Sequence, residues 1–261
     1  NRGFEEGMSG GAHFCTCGDV TLRNNTIHNN TASLGGNGYG GGVSFCTTDA
    51  TLDSNRIISN TATLSTTETV RGWGGGVWTG DEASLSMSND LIAGNHAKTQ
   101  GGGLWFGVEL DKYNPRTHRL EHVTIADNSG DYNYAHGVYV TNTIIAGHAD
   151  FGILVKTGGE ATLEATLWYE NRIDHTYGSN TEIGDRNFYG DPAFVDPGEW
   201  DYHIGEGSAA LDRGIVTGVR GDMDGERRPW LAPDLGADEY WPPGVAIRAY
   251  LPLILRQSSL E

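Results

Sequence analysis

The stretch Gly42-Val-Ser-Phe-Cys46, followed closely by Ala50-Thr-Leu-Asp-Ser-Asn-Arg-Ile-Ile-Ser-Asn-Thr-Ala62, decides the fold of this chain. A glycine opens the stretch, apolar residues alternate with outward ones along it, and an Asn-x-Ala turn closes it. The same pattern recurs along the 261 residues, so the chain is built from an internal repeat. The copies begin at Gly11, Gly42, Gly76, Gly103, Gly137 and Gly152.

Alternation of apolar and polar residues within each copy predicts short β-strands and not helices. Two or three strands per copy, separated by turns, make one coil of a solenoid whose equivalent strands pair in parallel. We therefore predict an all-β fold, a right-handed parallel β-helix with coils of about 30 to 35 residues and an irregular C-terminal cap. Its two inward columns would be Leu22, Leu52, Met87 and Leu120, and Ile27, Ile57, Ile92 and Ile125.

An asparagine follows each inward isoleucine by three residues, at Asn30, Asn60, Asn95 and Asn128. Asparagine tolerates left-handed backbone, and its amide can bond the equivalent amide one coil away. The spacing therefore predicts a stacked asparagine ladder at a turn, with a structural role.

A single solenoid accounts for the whole chain. Residues 1–185 would form the coils, and residues 186–261 the last coil or coils with the cap. The formal net charge of −17 argues against nucleic acid or an anionic membrane surface as a partner. No apolar run is long enough to span a membrane. An acidic surface suits solubility, a neutral glycan or a divalent cation.

The Asn-x-Ala turn followed by Gly-Gly-Gly-aliphatic-aromatic resembles the repeats of chlamydial polymorphic outer-membrane proteins and of bacterial β-helix proteins of the pectate-lyase-like superfamily. The C-terminal part resembles the end of "choice-of-anchor" bacterial β-helix proteins. This resemblance implies a secreted or surface-attached bacterial protein with a β-helix fold. It implies little about activity, because such families include lyases, hydrolases and adhesins. The C-terminal residues that carry it are Gly190-Asp-Pro-Ala-Phe-Val-Asp196, Asp201-Tyr202, Gly207-Ser-Ala-Ala-Leu-Asp-Arg-Gly214, Asp224-Gly-Glu-Arg-Arg-Pro229 and Asp234-Leu-Gly-Ala-Asp-Glu239.

An outward aromatic column is predicted in the strand that follows each glycine cluster. Its positions are His13, Ser44, Trp78, Trp105, Tyr139 and Leu154. Stacked aromatic rings on an exposed sheet suit the apolar faces of sugar rings, so His13, Trp78, Trp105 and Tyr139 are the candidate ligand-binding residues. The alternatives are aromatic packing that only stabilises the sheet, or cover by a loop such as Leu110 to His118.

The next outward position holds Cys15 and Cys46 on adjacent coils, within disulfide range. A disulfide there, with Cys17 free, would agree with export, and a buried pair of thiols is the alternative.

Carboxylates recur in the turn that follows, at Asp19, Asp49 and Asp81. Stacked carboxylates repel unless a cation bridges them, so the three are candidate Ca²⁺ ligands. They are also candidates for the acid and base of glycoside hydrolysis. The alternative is that they are polar turn residues bonding their own backbone. A lyase would also need a base, and the candidates near this face are few: Lys112, Lys156, Arg116 and Arg119.

Asp222-Met-Asp224-Gly225 resembles the start of a calcium loop but lacks the downstream ligands of an EF-hand. Asp222 and Asp224 are therefore weak metal candidates. Arg227 and Arg228 lie near Asp234, Asp238 and Glu239 in sequence and favour a structural ion-pair clasp.

Three functions follow from these features. The leading hypothesis is a secreted or cell-surface β-helix that binds a polysaccharide through the aromatic column, whether or not it cleaves it. The second is an enzyme, either a Ca²⁺-dependent polysaccharide lyase or a glycoside hydrolase. The third is a structural or adhesive surface domain without a small ligand. Whether the protein is an enzyme, and whether it binds Ca²⁺ or any other cofactor, stay undecided at this point.

Overall fold

A computed structural model describes residues 6–80, 82–107, 117–130, 132–135, 137–155, 159–178, 181–229 and 232–243. Asp81, Lys112, Arg116, Lys156, the centre of the loop from Leu110 to His118, and the tail from residue 244 onward lie outside that part of the chain. The early strands are β1 (Glu6–Met8), β2 (Ala12–Cys15), β3 (Val20–Arg23), β4 (Thr26–His28), β5 (Thr31–Ser33), β6 (Asn37–Tyr39), β7 (Val43–Cys46), β8 (Asp49–Asp53), β9 (Arg56–Ile58), β10 (Thr61–Thr63), β11 (Gly72–Trp73), β12 (Val77–Thr79), β13 (Ser84–Ser88) and β14 (Leu91–Ala93). The later strands are β15 (Leu104–Phe106), β16 (His118–Glu121), β17 (Thr124–Ala126), β18 (Tyr132–Ala135), β19 (Val138–Ala146), β20 (Phe151–Val155), β21 (Ala161–Tyr169), β22 (Asp174–Gly178), β23 (Thr181–Ile183), β24 (Phe188–Tyr189), β25 (Phe194–Asp196) and β26 (Asp201–Ile204).

Strands of successive coils pair in parallel, which confirms the predicted parallel β-helix. A seven-stranded sheet follows the order β2-β7-β12-β15-β18-β20-β22. A twelve-stranded sheet carries β3, β8, β13 and β16 on one side of its bend and β4, β9, β14 and β17 on the other, joined by β19 and β21. A smaller parallel sheet of β1, β6 and β11 lies before the seven-stranded sheet in each early coil. A 3₁₀-helix, Pro197–Glu199, separates the antiparallel strands β25 and β26.

The core lies inside the coil and consists of the predicted columns. Leu52 is in register with Leu22 and Met87, and Ile57 with Ile27 and Ile92. The columns continue past the predicted residues, because Leu120 pairs with Val140, and Ile125 with Ile145. Column members from the second coil onward are almost completely buried, whereas those of the first coil are half-buried.

The predicted asparagine ladder is confirmed and is longer than the sequence indicated. The amide of Asn60 bonds Asn95 Oδ1 at 3.0 Å, and that of Asn95 bonds Asn128 Oδ1 at 3.0 Å. His148 takes the next position and accepts the backbone N–H of Asn128, and Asn171 follows. Burial lowers the pKa of His148 to about 4, so this imidazole is neutral at physiological pH.

The left-handed backbone lies one residue before each ladder position and not at the ladder asparagine itself. The residues with positive φ are Asn29, Ser59, Gly94, Asp127, Gly147 and Glu170. Within each turn, one residue adopts the left-handed conformation that reverses the chain direction. The next residue forms the hydrogen bonds of the ladder.

The C-terminal segment packs along the side of the solenoid. Tyr202, Met223 and Ala237 form an apolar cluster with outward residues of β9, β14 and β17. Backbone and side-chain hydrogen bonds hold the segment down, including Gly236 N–H to the carbonyl of Asn142 at 2.8 Å. We call residues 194–239 the lateral strap. Among the described residues there is no helix long and apolar enough to cross a membrane.

Candidate functional site

Four partly exposed aromatic residues form one surface where the seven-stranded sheet meets the small sheet before it. We call Tyr39, Trp73, Trp78 and Trp105 the aromatic shelf. Trp78 and Trp105 are register partners in β12 and β15, and their rings stack at 5.7 Å with an interplanar angle of 5°. Tyr39 and Trp73 are partners in β6 and β11 and stack at 4.8 Å.

The two stacks meet edge to face. The ring of Tyr39 lies 5.5 Å from that of Trp78 at an angle of 71°. The shelf is therefore a bent surface with two stacked pairs, and the rings of adjacent coils follow the solenoid axis. Burial and the nearby carboxylate of Glu6 raise the pKa of Tyr39, so its hydroxyl is protonated and can donate at neutral pH.

Glycine makes room for the indoles. A Cβ on Gly80 would lie 2.5 Å from the ring of Trp78, and one on Gly107 would lie 1.5 Å from the ring of Trp105. Each tryptophan ring therefore lies over the glycine two residues further along the chain, just past the end of the strand. Trp105 Nε1 donates to Gln100 Oε1 at 3.4 Å, which fixes the ring orientation.

Sequence reasoning identified Trp78 and Trp105 but missed Tyr39 and Trp73. The missed pair has a signal of its own, since each residue is flanked by glycine, as Gly38-Tyr39-Gly40 and Gly72-Trp73-Gly74. Both triplets come before the glycine cluster, and the predicted column was taken only from the strand after it.

Tyr139 does not belong to the aromatic column, so that part of the prediction is wrong. It lies in β19 of the twelve-stranded sheet, between Arg119 and Thr162. The register partner of Trp105 is Tyr134 in β18, followed by Leu154 as predicted. The prediction failed because no glycine cluster precedes β18. The next glycine that fits the repeat, Gly137, precedes β19 instead, and the outward position was counted from there. Val138 and Val140 also lie in β19, and they point into the core from the twelve-stranded sheet.

His13 stands at the far end of the predicted column, in the first coil. Its Nδ1 lies 2.7 Å from Ser44 Oγ, and Ser44 is fully buried beside Trp78. The imidazole is exposed and extends the surface that begins at the shelf with a polar group.

Cys15 and Cys46 form a disulfide, which is the first of the two predicted alternatives. Their Cα atoms lie 4.6 Å apart, and the bond links the first two coils across paired strands. Cys17 is free and exposed.

The acidic turn residues border a groove of about 510 Å³ on the twelve-stranded sheet. Asp19 and Asp49 line it together with Arg119. The register places Ser84, and not Asp81, beside Asp49, and the Ser84 hydroxyl donates to the Asp49 carboxylate. Ser84 therefore takes the position next to Asp49, and Asp81 lies outside the described residues. Asp19 and Asp49 both line the groove, and their role as Ca²⁺ ligands stays a prediction.

Tyr139 borders a second groove on the same sheet, with Glu160 and Glu182. The Arg119 guanidinium lies 5.9 Å from the centre of the Tyr139 ring and within 3.4 Å of Glu121. Arg119 is thus tied to its own sheet by a carboxylate and an aromatic ring.

Asp222 acts as a turn residue in the strap. Its Oδ1 accepts the N–H groups of Asp224 and Glu226, and its Oδ2 accepts that of Glu239. Backbone donors therefore hold both oxygens that a calcium loop would need.

Asp224 makes an ion-pair network. It bonds Arg56 of β9 at 2.8 Å and His203 Nε2 at 2.6 Å, while Asp201 bonds His203 Nδ1. Hydrogen bonds to Asp224 and Asp201 raise the pKa of His203 to about 9, so the imidazole is charged. Ligand atoms of His203, Asp224 and Asp238 lie within 4.8 Å of one another, but both ring nitrogens of the charged imidazole donate to carboxylates and are not free to bind a metal ion. Sequence reasoning missed His203, because it stands alone among scattered histidines.

The predicted clasp is confirmed at Arg228, whereas Arg227 is exposed. The buried Arg228 guanidinium pairs with Glu239 at 3.0 Å and donates to the carbonyls of Gly236 and Ala237 at 2.8 Å. It also reaches Asn89 of the solenoid at 3.2 Å. The clasp thus orders the strap and joins it to the coils.

No family model matches the sequence, and no curated protein matches it. A solved structure of pectate lyase Pel9A is similar, with 14% identity and a TM-score of 0.46 over 90% of this chain and 69% of that one.

Proposed function

We propose that this protein binds a polysaccharide along the aromatic shelf. The carrying observation is the alignment of two stacked, partly exposed aromatic pairs on neighbouring coils. The rings of one pair, Trp78 and Trp105, lie over glycines. Aromatic rings bury apolar area at little cost in side-chain entropy, and a row of them matches the repeating apolar faces of a sugar polymer.

The charge of the protein favours a neutral glycan. The formal net charge is −17, which repels a polyanionic chain at a distance, and Glu6 lies close to the Tyr39 end of the shelf. The ring faces need no opposite charge on the ligand, because contact between ring and sugar is apolar. A neutral polymer can therefore contact the aromatic rings without being repelled by the negative charge of the protein.

The Cys15–Cys46 disulfide supports an exported protein. Disulfides persist in oxidising compartments and are rare in the cytosol. A polysaccharide outside the cell or at its surface would be accessible there.

The test is retention of the purified protein on a panel of insoluble and gel-embedded polysaccharides, with and without calcium. We expect retention on a neutral glycan that calcium does not alter, and a loss of affinity of at least about tenfold on Trp78→Ala or Trp105→Ala. The matched control is Tyr139→Ala, which removes an outward aromatic residue from the other sheet. Unchanged retention of both tryptophan variants would refute the proposal.

A further inference from the structure

The two inward columns of the core end in exposed side chains at the C-terminal end of the solenoid. Leu163 pairs with Ile183, and Trp168 pairs with Tyr189, so each of the later residues continues a column. Leu163 and Trp168 are 0% and 2% exposed, whereas Ile183 is 52% and Tyr189 66% exposed. The apolar core is therefore open at this end.

The strands of the last coil also carry exposed edges. β22 pairs with β20, and β23 and β24 pair with β21; within the described part of the chain, no strand lies on their other side. The lateral strap packs along the side of the coils and leaves the ends of both columns exposed. A solenoid needs a terminal cap, and an open strand edge beside apolar side chains favours pairing with another segment.

The chain itself supplies an apolar segment that starts near this end. Tyr240 packs against the same apolar cluster as Phe188 of β24, one of the edge strands. Beyond the described residues the sequence continues as Gly244-Val-Ala-Ile-Arg-Ala-Tyr-Leu-Pro-Leu-Ile-Leu255. A segment of this length spans up to about 40 Å when extended. That is several times the ~4.8 Å between neighbouring strands, so the segment is long enough to reach both columns.

Charge favours contact between this segment and the last coil. Residues 244–260 contain two arginines and no acidic residue, in a chain of formal net charge −17. Residues 173–189 present three exposed carboxylates and one exposed arginine. Opposite charges therefore attract the segment to this end. A tethered segment also meets its own solenoid at an effective concentration on the order of millimolar, an advantage that a second molecule lacks.

We propose that residues 244–255 close the C-terminal end of the solenoid. Their apolar side chains cover Ile183 and Tyr189, and their backbone lies against the exposed strand edges. The segment is then the terminal cap that the lateral strap does not provide. It buries the ends of both columns and blocks the pairing of this edge with another molecule.

The test is amide hydrogen exchange of the full chain, measured on peptides by mass spectrometry, for wild type, Ile183→Asp and Leu253→Asp. A carboxylate on either side of the contact should undo docking, because burying an unpaired charge is unfavourable. We expect Leu253→Asp to speed exchange in β22, β23 and β24 at least about tenfold, and Ile183→Asp to do the same in residues 245–255. Ile183 is half-exposed, so its variant should keep the fold, which unchanged exchange in β8 and β13 would verify.

The matched control is Leu64→Asp, which places a carboxylate at an exposed leucine between β10 and β11. It should alter exchange in neither segment. Unprotected exchange of residues 245–255 in the wild type, or no effect of either variant on the opposite segment, would overturn the proposal. Protection of the last coil that rises with protein concentration, together with a dimer in sedimentation, would also overturn it, since a second copy would then cover this end.

Discussion

Asp90 is a carboxylic acid in a position built for an amide. A second ladder runs from Asn25 to Asn55 to Asp90, and Asn55 donates its backbone N–H and its amide to Asp90 Oδ1 at 2.8 and 2.9 Å. In this ladder the amide nitrogen also donates to a carbonyl of the preceding coil, as Asn55 does to Leu22 at 3.0 Å. Asp90 Oδ2 holds the place of that nitrogen and, among the described residues, is buried without a hydrogen-bond partner.

Burial raises the pKa of Asp90 to about 8, so the side chain is protonated in the fold at neutral pH. A raised pKa in the folded state means that the stabilising contribution is complete below the ordinary value of 3.8. This contribution is lost progressively as the pH rises to about 8. The protonated acid can donate where the ladder needs a donor, and the charged acid cannot.

We expect Asp90→Asn to stabilise the protein increasingly as the pH rises. The amide supplies the missing donor and does not titrate, so the advantage should reach about 3 to 5 kcal/mol above the folded-state pKa. Denaturant unfolding of both proteins at about pH 5 and about pH 9 measures it. A variant less stable than the wild type at the higher pH would show that burial does not raise the pKa of Asp90.

The first ladder could be predicted from sequence and the second could not. Asn30, Asn60, Asn95 and Asn128 share one residue type at one spacing, which makes the stack visible. In the second ladder the equivalent positions are Asn25, Asn55, Asp90 and then Val123 and Thr143, so no single residue type marks them. The stacking becomes evident only when the register is known.

At the level of elements, the strap depends on the Arg228 clasp. The Arg228 and Glu239 side chains are 1% and 2% exposed. Almost no water can therefore solvate one of them when the other is removed. Desolvation lowers the pKa of Arg228 and raises that of Glu239, and the pairing of the two groups opposes both shifts.

We expect Arg228→Leu to destabilise the protein by about 3 to 5 kcal/mol, because Glu239 would be left buried without its partner. The strap should also become sensitive to limited proteolysis before the coils do. The double variant Arg228→Leu/Glu239→Leu should recover part of the loss, since the Glu239 carboxylate is no longer buried without its partner. A single variant as stable as the wild type would mean that the clasp is incidental.

The lateral position of the strap could not be predicted from sequence. Its acidic and arginine residues indicated a clasp, but the contacts that place it on the solenoid are long-range. Tyr202 donates to Asp127 at 2.7 Å, and Ala237 N–H donates to Thr124 Oγ1 at 2.9 Å. Neither partner stands out in the repeat pattern, so the sequence alone leaves open where the segment packs.

For the molecule as a whole, the fold followed from the repeat, and the candidate site only in part. Repeated glycines and apolar alternation determine the coil, and with it the register of Trp78 and Trp105. No glycine cluster precedes the strand that begins at Tyr132, so the outward position of this coil is placed too late in the sequence. Tyr139 is then assigned to the wrong sheet. Tyr39 lies on the neighbouring sheet and contacts Trp78 across the corner of the coil. A pattern taken from one strand does not include residues of another sheet.

The central claim is that the aromatic shelf, and no other aromatic surface, binds the glycan. The direct measurement is a tryptophan-fluorescence titration of wild type, Trp78→Ala and Tyr139→Ala with oligosaccharides of increasing length from the glycan that retains the protein. We predict that wild-type affinity rises with oligosaccharide length until both stacks are covered, that Trp78→Ala loses this dependence, and that Tyr139→Ala keeps it. Affinity that is independent of Trp78, or that falls with Tyr139→Ala, would contradict the account.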